Sequence, residues 1–343
     1  MKVQRSSVAI VTAAIAAGGL TFFACSSGSS SVENADAGSL SPVDTGNDAA
    51  STPEPVVDSG ATPTSDAGLD SGTTPTPGTS GNGTFVVYGD SRTNSGPHGQ
   101  VLAAFAQKNP GLVLDTGDLW AGYGSATWTT ILRQNPNLAA LLDQNLYLVS
   151  RGNHETSSEF LAYVPTLVRG GKELYSFTWQ GAFFVSLSMD PSTSAATAYL
   201  AQELAKPEAQ NAKWRFVYSH YPIYDSGDSH GVNGIAAVET LCDRYHVSMY
   251  FSGHEHIYER SYQMFGRSAV DRDDALTASR GTVYVVSGGG GAPLYTVSTP
   301  LASSRFHKTG AYHYTLVTMS PANLTVEAFD KTNTRFDSVQ ITP

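Results

Sequence analysis

Cysteine is almost absent from this chain. Its 343 residues hold two, Cys25 and Cys242, so at most one disulfide can form. Cys242 falls in an apolar helical pattern with Ile235, Val238 and Leu241, which makes it core filler. Lysine and arginine are missing from residues 26–83, where eight acids stand: Glu33, Asp36, Asp44, Asp48, Glu54, Asp58, Asp66 and Asp70. Large apolar residues are nearly missing there too. Such a stretch cannot bury enough surface to offset its ordering entropy, which excludes a folded domain and leaves a tether, extended where Thr-Pro recurs. The whole chain carries −10; residues 1–25 carry +2 and residues 26–83 carry −8, so the remainder carries −4. The folded part is therefore only mildly acidic, and it has no basic stripe for a nucleic acid. The apolar run from Val8 to Phe23 is short for a membrane span and is interrupted by Thr12, Gly18, Gly19 and Thr21. There is no internal repeat and no second independent domain.

What the first residues do have is a charged start (Lys2, Arg5), a short apolar stretch and a small residue, Ala24, before Cys25. That is the layout of a secretory signal. Phe22-Phe23-Ala24-Cys25-Ser26 resembles a bacterial lipoprotein signal, which implies a lipid on Cys25 and a membrane as partner. The expected organisation is a signal peptide over 1–24, a tether over 25–83 and one catalytic domain over 84–343, exported and lipid-anchored at a bacterial cell envelope. With Cys25 lipidated, an intrachain disulfide is excluded.

The domain alternates apolar strands with helical patterns. Strands are expected at Phe85 to Tyr88, Leu112 to Leu114, Leu146 to Val149, Arg215 to Tyr218 and Val247 to Phe251. Helices are expected around Val101 to Phe105, Trp128 to Leu142, Ala195 to Leu204 and Ile235 to Tyr245. Leu174 to Trp179 and Ala182 to Met189 pair around a Gln180-Gly181 turn. After Arg260 the pattern is mostly strand. The class is α/β (α+β): two mixed sheets packed face to face, with helices outside.

Five of these strands stop on residues that bind metals: Asp90; Asp118; Asn153 with His154; His220; and His254 with His256. Ligands gather at the carboxyl ends of strands in open sheets, and neutral imidazole is a common ligand for zinc, iron and manganese. Each residue has a duller explanation, as a turn former or a helix cap, but all five would have to hold together.

Gly89-Asp90, Gly117-Asp118, Gly152-Asn153-His154-Glu155, His220 and Gly253-His254-Glu255-His256 resemble, in order and spacing, the motifs of the calcineurin-like metallophosphoesterases. His254-Glu255-His256-Ile257-Tyr258-Glu259-Arg260-Ser261 and His220-Tyr221-Pro222-Ile223-Tyr224, with His230 beyond, are similar to the purple acid phosphatase branch. The resemblance implies a four-layer sandwich and two metal ions drawn from Fe, Zn and Mn. It implies that Asp118 bridges them, that Asp90 and His256 hold the first, and that Asn153, His220 and His254 hold the second. It implies hydrolysis of a phosphate ester, first of all a phosphomonoester, by metal-activated hydroxide, with His154 and His230 near the departing oxygen. A phosphodiesterase or nucleotidase stays open, as does a non-catalytic surface binding protein on a decayed scaffold. Two positions depart from the family. Arg92 stands where many members have a histidine, and Ala121 where purple acid phosphatases have a tyrosine. Tyr123, His98 or a water would have to supply the missing ligand. Arg92 either faces the phosphate, as a planar guanidinium suits, or pairs with a nearby acid.

Overall fold

The computed structural model describes residues 83–343 apart from 164–167 and 272–274. The expectations for the signal peptide, Cys25 and the tether up to residue 82 lie outside the described residues.

Two sheets face each other, as the alternation predicts. In the first, Thr84–Tyr88, Leu112–Asp115 and Tyr147–Val149 run parallel, side by side. On its other side Thr84–Tyr88 pairs antiparallel with His313–Met319, followed by Leu324–Asp330 and Arg335–Thr342. In the second, Ala182–Ser186, Arg215–Tyr218, Met249–Ser252 and Thr282–Ser287 are parallel neighbours. Antiparallel strands flank that set: Tyr175–Trp179 on one side and Tyr258–Phe265 on the other. The parallel strands thus lie at one edge of the first sheet and in the middle of the second, and their carboxyl ends form one rim.

The strands of the second sheet are apolar at successive positions because both of its faces are covered. Phe184, Phe216 and Phe251 point between the sheets; Val185, Val217 and Tyr250 alternate with them and face the helices. The Phe85 ring sits edge-on to Phe184, Phe216, Phe251 and Trp179 at centroid distances of 5.4, 5.1, 6.2 and 6.3 Å. Such edge-to-face pairs add about 0.5–1.5 kcal/mol each beyond area burial. Outside the second sheet, Ser194–Leu204 and Ala236–Arg244 supply Leu200, Leu204, Val238 and Cys242 to a second core. Cys242 is buried there with a free thiol, as expected.

Two expectations are corrected. The helix expected from Trp128 to Leu142 is two helices, Ser125–Arg133 and Pro136–Asp143. Pro136 has no N–H to give to the preceding turn and instead starts the second helix, with Asn135 extended ahead of it (φ −106°, ψ 109°). The strand after the histidine pair begins at Tyr258, not after Arg260. Tyr258, Glu259 and Arg260 are therefore strand residues, buried under the site.

Candidate metal centre

The loops leaving five parallel strands meet at the shared rim. They come closer than ordinary side chains allow. A Cβ on Gly253 would stand 2.3 Å from Asp90 Oδ2, and one on Gly152 would stand 2.1 Å from Asp118 Oδ1. Three of the residues so placed adopt left-handed backbone: Asp90 (φ 61°), Asp118 (φ 58°) and His254 (φ 70°). Strain of order 1–3 kcal/mol per residue is held only where the surroundings dictate it, and it collects at functional sites. Here backbone hydrogen bonds dictate it. Asp90 N donates to Gly117 O (2.9 Å), His254 N to Asp90 Oδ2 (2.9 Å) and His154 N to Asp118 Oδ1 (3.0 Å). Buried Glu155 ties two loops together, accepting from Leu119 N (2.8 Å), Gly152 N (3.0 Å) and Asp118 N (3.2 Å).

Two donor sets share Asp118. In one, His220 Nε2 lies 2.9 Å from Asn153 Oδ1 and 3.4 Å from Asp118 Oδ1, with the His254 ring 5.1 Å from that of His220. In the other, oxygen or nitrogen atoms of Asp90, Asp118 and His256 all lie within 4.8 Å of one another, with Asp90 Oδ1 3.6 Å from His256 Nε2. Donors around one ion at ~2.0–2.2 Å stand roughly 3 Å apart; Asp90, Asp118 and His256 converge as ligands do, and so does His220 Nε2 with Asn153 and Asp118, while His254 is placed beside them by its ring. The tautomers agree. His220 Nδ1 donates to Thr116 O (2.9 Å) and His256 Nδ1 to Pro293 O (2.6 Å), which leaves the Nε2 lone pairs inward.

The electrostatics points the same way. Burial pushes His254 down to about 3, with His220 and His230 adding to it, and His256 down to about 4. Both rings are neutral near pH 7, the form that binds a metal. Burial pushes the Asp90 carboxyl well above its ordinary range, against the pull of His220. Asp90 Oδ1 is buried and has no hydrogen-bond partner, an orphan that a cation would satisfy. For Asp118, burial acts upward, but His220, the His154 N–H and Arg92 together hold it below the usual range. Nitrogen and oxygen donors in this mixture suit Fe, Zn or Mn.

Arg92, His154 and His230 are also brought to the rim. The ion-pair alternative describes Arg92: its Nε donates to Asp118 Oδ2 (2.9 Å), and its Nη2 lies 3.5 Å from His256 Nε2. His154 is 41% exposed and its Nε2 is 3.8 Å from Asp118 Oδ2. The His230 ring is 4.2 Å from that of His254, and its Nδ1 lies 2.9 Å from Glu255 Oε2.

The stand-ins for a missing ligand are corrected. Tyr123 OH is taken up by Ser91 O, Leu119 O and His98 Nδ1 at 2.8–3.0 Å. His98 is buried in helix Ser95–Ala106 between Tyr123 and Tyr88. Neither turns toward the donor sets, because each is committed to closing the first loop over the core.

Sequence reasoning missed the clamps. Glu155 and Glu255 sit inside the quoted motifs, yet no local pattern says which backbone they will meet. The rings of Tyr221 and Tyr295 lie 4.4 Å from His254 and 4.1 Å from His256, contacts that local pattern does not foretell. The glycine run Gly288–Gly291 is the signal for a close approach here: a Cβ on Gly290 would meet Gly89 O at 2.3 Å.

Comparison with known proteins agrees with this geometry. The calcineurin-like phosphoesterase family matches residues 83–258. The probable purple acid phosphatase 20 of Arabidopsis thaliana is 30% identical over 199 residues, 51% of this chain and 44% of that protein. A nucleotide pyrophosphatase/phosphodiesterase of Hordeum vulgare is 29% identical over 96 residues, 27% of this chain and 26% of that protein. Both matches span less than half of the relative's length. Among solved structures, a purple acid phosphatase from yellow lupin seeds is similar with a TM-score of 0.61 at 18% identity, covering 76% of this chain and 53% of that one. At that identity the likeness speaks for the fold. The family match takes in half of the chain and every residue of the two donor sets, and the chain belongs to the calcineurin-like phosphoesterase family.

Proposed function

We propose that the chain is a metal-dependent hydrolase of phosphate esters, acting first of all on phosphomonoesters, with two ions drawn from Fe, Zn and Mn. The observation that carries the reading is the position of Asp118. Its Oδ1 lies beside His220 Nε2, which also meets Asn153 Oδ1, and the same side chain converges with Asp90 and His256. Ions held there would polarise the phosphoryl oxygens and lower the pKa of water.

The remaining steps belong to side chains at the rim. Arg92 spends its Nε on Asp118, which leaves its Nη groups to meet an equatorial oxygen of the phosphoryl group. His154, beside the shared carboxylate, lies where an incoming or departing oxygen passes. His230 is the proton donor to the leaving group: Glu255 holds Nδ1, so Nε2 is the nitrogen left to carry the proton. The purple acid phosphatase relatives support the monoester, and the Hordeum relative keeps a diester or nucleotide substrate as the alternative.

The test is a substrate panel. Protein stripped by chelation, then reloaded with Fe, Zn or Mn, should hydrolyse monoesters faster than bis-esters. Activity that survives complete stripping would end the metal reading. The reverse preference would make the chain a diesterase. The leader residues support export and a lipid on Cys25, which the mass of the mature N-terminal peptide checks; the composition of residues 26–83 supports a tether ahead of the catalytic domain, which limited proteolysis checks.

A further inference from the structure

We propose that Arg92 competes with an ion at the first position, so that the chain holds one ion firmly, at Asn153, His220 and His254, and the other only loosely. The inference rests on the metal-centre reading above and refines it.

The two positions are unequal. The firm one would draw on four side chains: Asp118 and Asn153, which meet at His220 Nε2, and His254, whose ring packs beside that of His220. The other draws on Asp90, Asp118 and His256, and a guanidinium already lies across two of these three. Arg92 Nε is 2.9 Å from Asp118 Oδ2, a charge-assisted bond. Its Nη2 is 3.5 Å from His256 Nε2, the nitrogen that Pro293 O leaves with a lone pair. An ion on those atoms would need the same lone pairs and would face a fixed positive charge.

Arg92 is not a surface arginine that swings aside freely. Its side chain is 16% exposed, and its own N–H donates to Asp118 O at 3.0 Å. The backbone thus ties the competitor to the residue it competes for. Tyr123 and His98, committed to the first loop, do not redress the balance with an added ligand. The position is nevertheless not closed. Arg92 makes no hydrogen bond to Asp90 Oδ1, which stays buried and unpartnered. That oxygen keeps an affinity for a cation, which makes the position loose rather than lost.

The experiment is metal stoichiometry on the full chain, by equilibrium dialysis with Zn2+ or Mn2+ and elemental analysis, with no assay of turnover. Wild type should retain about one ion per chain against metal-free buffer and bind a second more weakly. Neighbours of a metal site change affinity by about 10–100-fold, and Arg92→Ala should tighten the weak ion by that factor and retain two. Arg92→Lys keeps the charge but cannot span both atoms, so it should fall between them. Asn153→Ala should remove the firm ion and leave the weak one. Two firmly held ions in wild type, or a weak ion unmoved by Arg92→Ala, would overturn the competition while sparing the metal centre. No ion in wild type or in Arg92→Ala would overturn both.

Discussion

The Arg260 guanidinium grips the Asp337 carboxylate with two hydrogen bonds, Nε to Oδ2 at 2.7 Å and Nη2 to Oδ1 at 3.0 Å, and the two residues belong to different sheets. Both are nearly buried, and Tyr258 OH donates to the same Oδ2 at 2.8 Å. Removing one partner of a buried pair leaves the other charge uncompensated, at about 3–5 kcal/mol. Asp337→Ala should therefore lose stability in that range by urea unfolding. The double variant Arg260→Met, Asp337→Leu should recover part of it. A loss under ~1 kcal/mol for the single variant would mean that the pair does not join the sheets.

His230 is expected to act on the leaving group. General acids contribute ~10²–10⁴-fold, more for basic leaving groups. His230→Ala should slow alkyl phosphates by that order and nitrophenyl phosphate much less, with metal content unchanged. Glu255→Gln should have a milder effect of the same sign and shift the pH profile, because it holds the His230 ring. Equal small effects on both substrates would return His230 to the status of a loop histidine.

Asp118 lies both beside His220 Nε2 and within the group of Asp90 and His256, so Asp118→Asn should lower metal content and kcat together, by more than the loss of either Asp90 or Asn153. An Asp118→Asn protein that keeps its ions and turns over normally contradicts a bridging role.

Asp225 carries a pH signature in stability. Burial, reinforced by Glu255 and Glu259, pushes its carboxyl up to about 7, and its Oδ2 has no hydrogen-bond partner. Below ~4, the unfolded value, the group is protonated in both states and has no effect. Between ~4 and 7 the folded chain holds a proton that the unfolded chain has released, so stability falls as pH rises, and above 7 the full loss stands. Asp225→Asn keeps an acceptor for Gly227 N and removes the charge. It should gain about 1–4 kcal/mol at pH 8 and nothing at pH 4. Parallel stability curves for the two proteins across that range would contradict the assignment.

That the candidate ligands meet at one rim was legible because each follows a short apolar strand, and strand ends in parallel sheets converge. The sandwich was legible for the same reason: runs such as Phe183-Phe184-Val185 are apolar at every position only when both faces are covered. What escaped depended on distant partners. Arg92 could be placed in the first loop, but its choice of Asp118 over open solvent follows from the Arg92 N to Asp118 O bond between two loops. Tyr258-Glu259-Arg260 read as part of a signature, yet Arg260 meets a carboxylate 77 residues away, and Glu259 accepts from Ser226 N (2.7 Å) at the root of the loop that carries His230. The helix break at Pro136 was local and readable; the apolar pattern across it outweighed the proline.

The strand Thr84–Tyr88, which delivers Asp90, lies between Leu112–Asp115 and His313–Met319. These neighbours are far apart in the chain: every candidate ligand lies before residue 257, but the second neighbour of the Asp90 strand comes with residues 313–319, and the partner of Arg260 with residue 337. Pairing over such separations must close long loops before any contact rewards it, which slows folding. A chain cut short before residue 313 would carry every candidate ligand and still leave one edge of the Asp90 strand open, so the last strands to be made complete the support of the first loop.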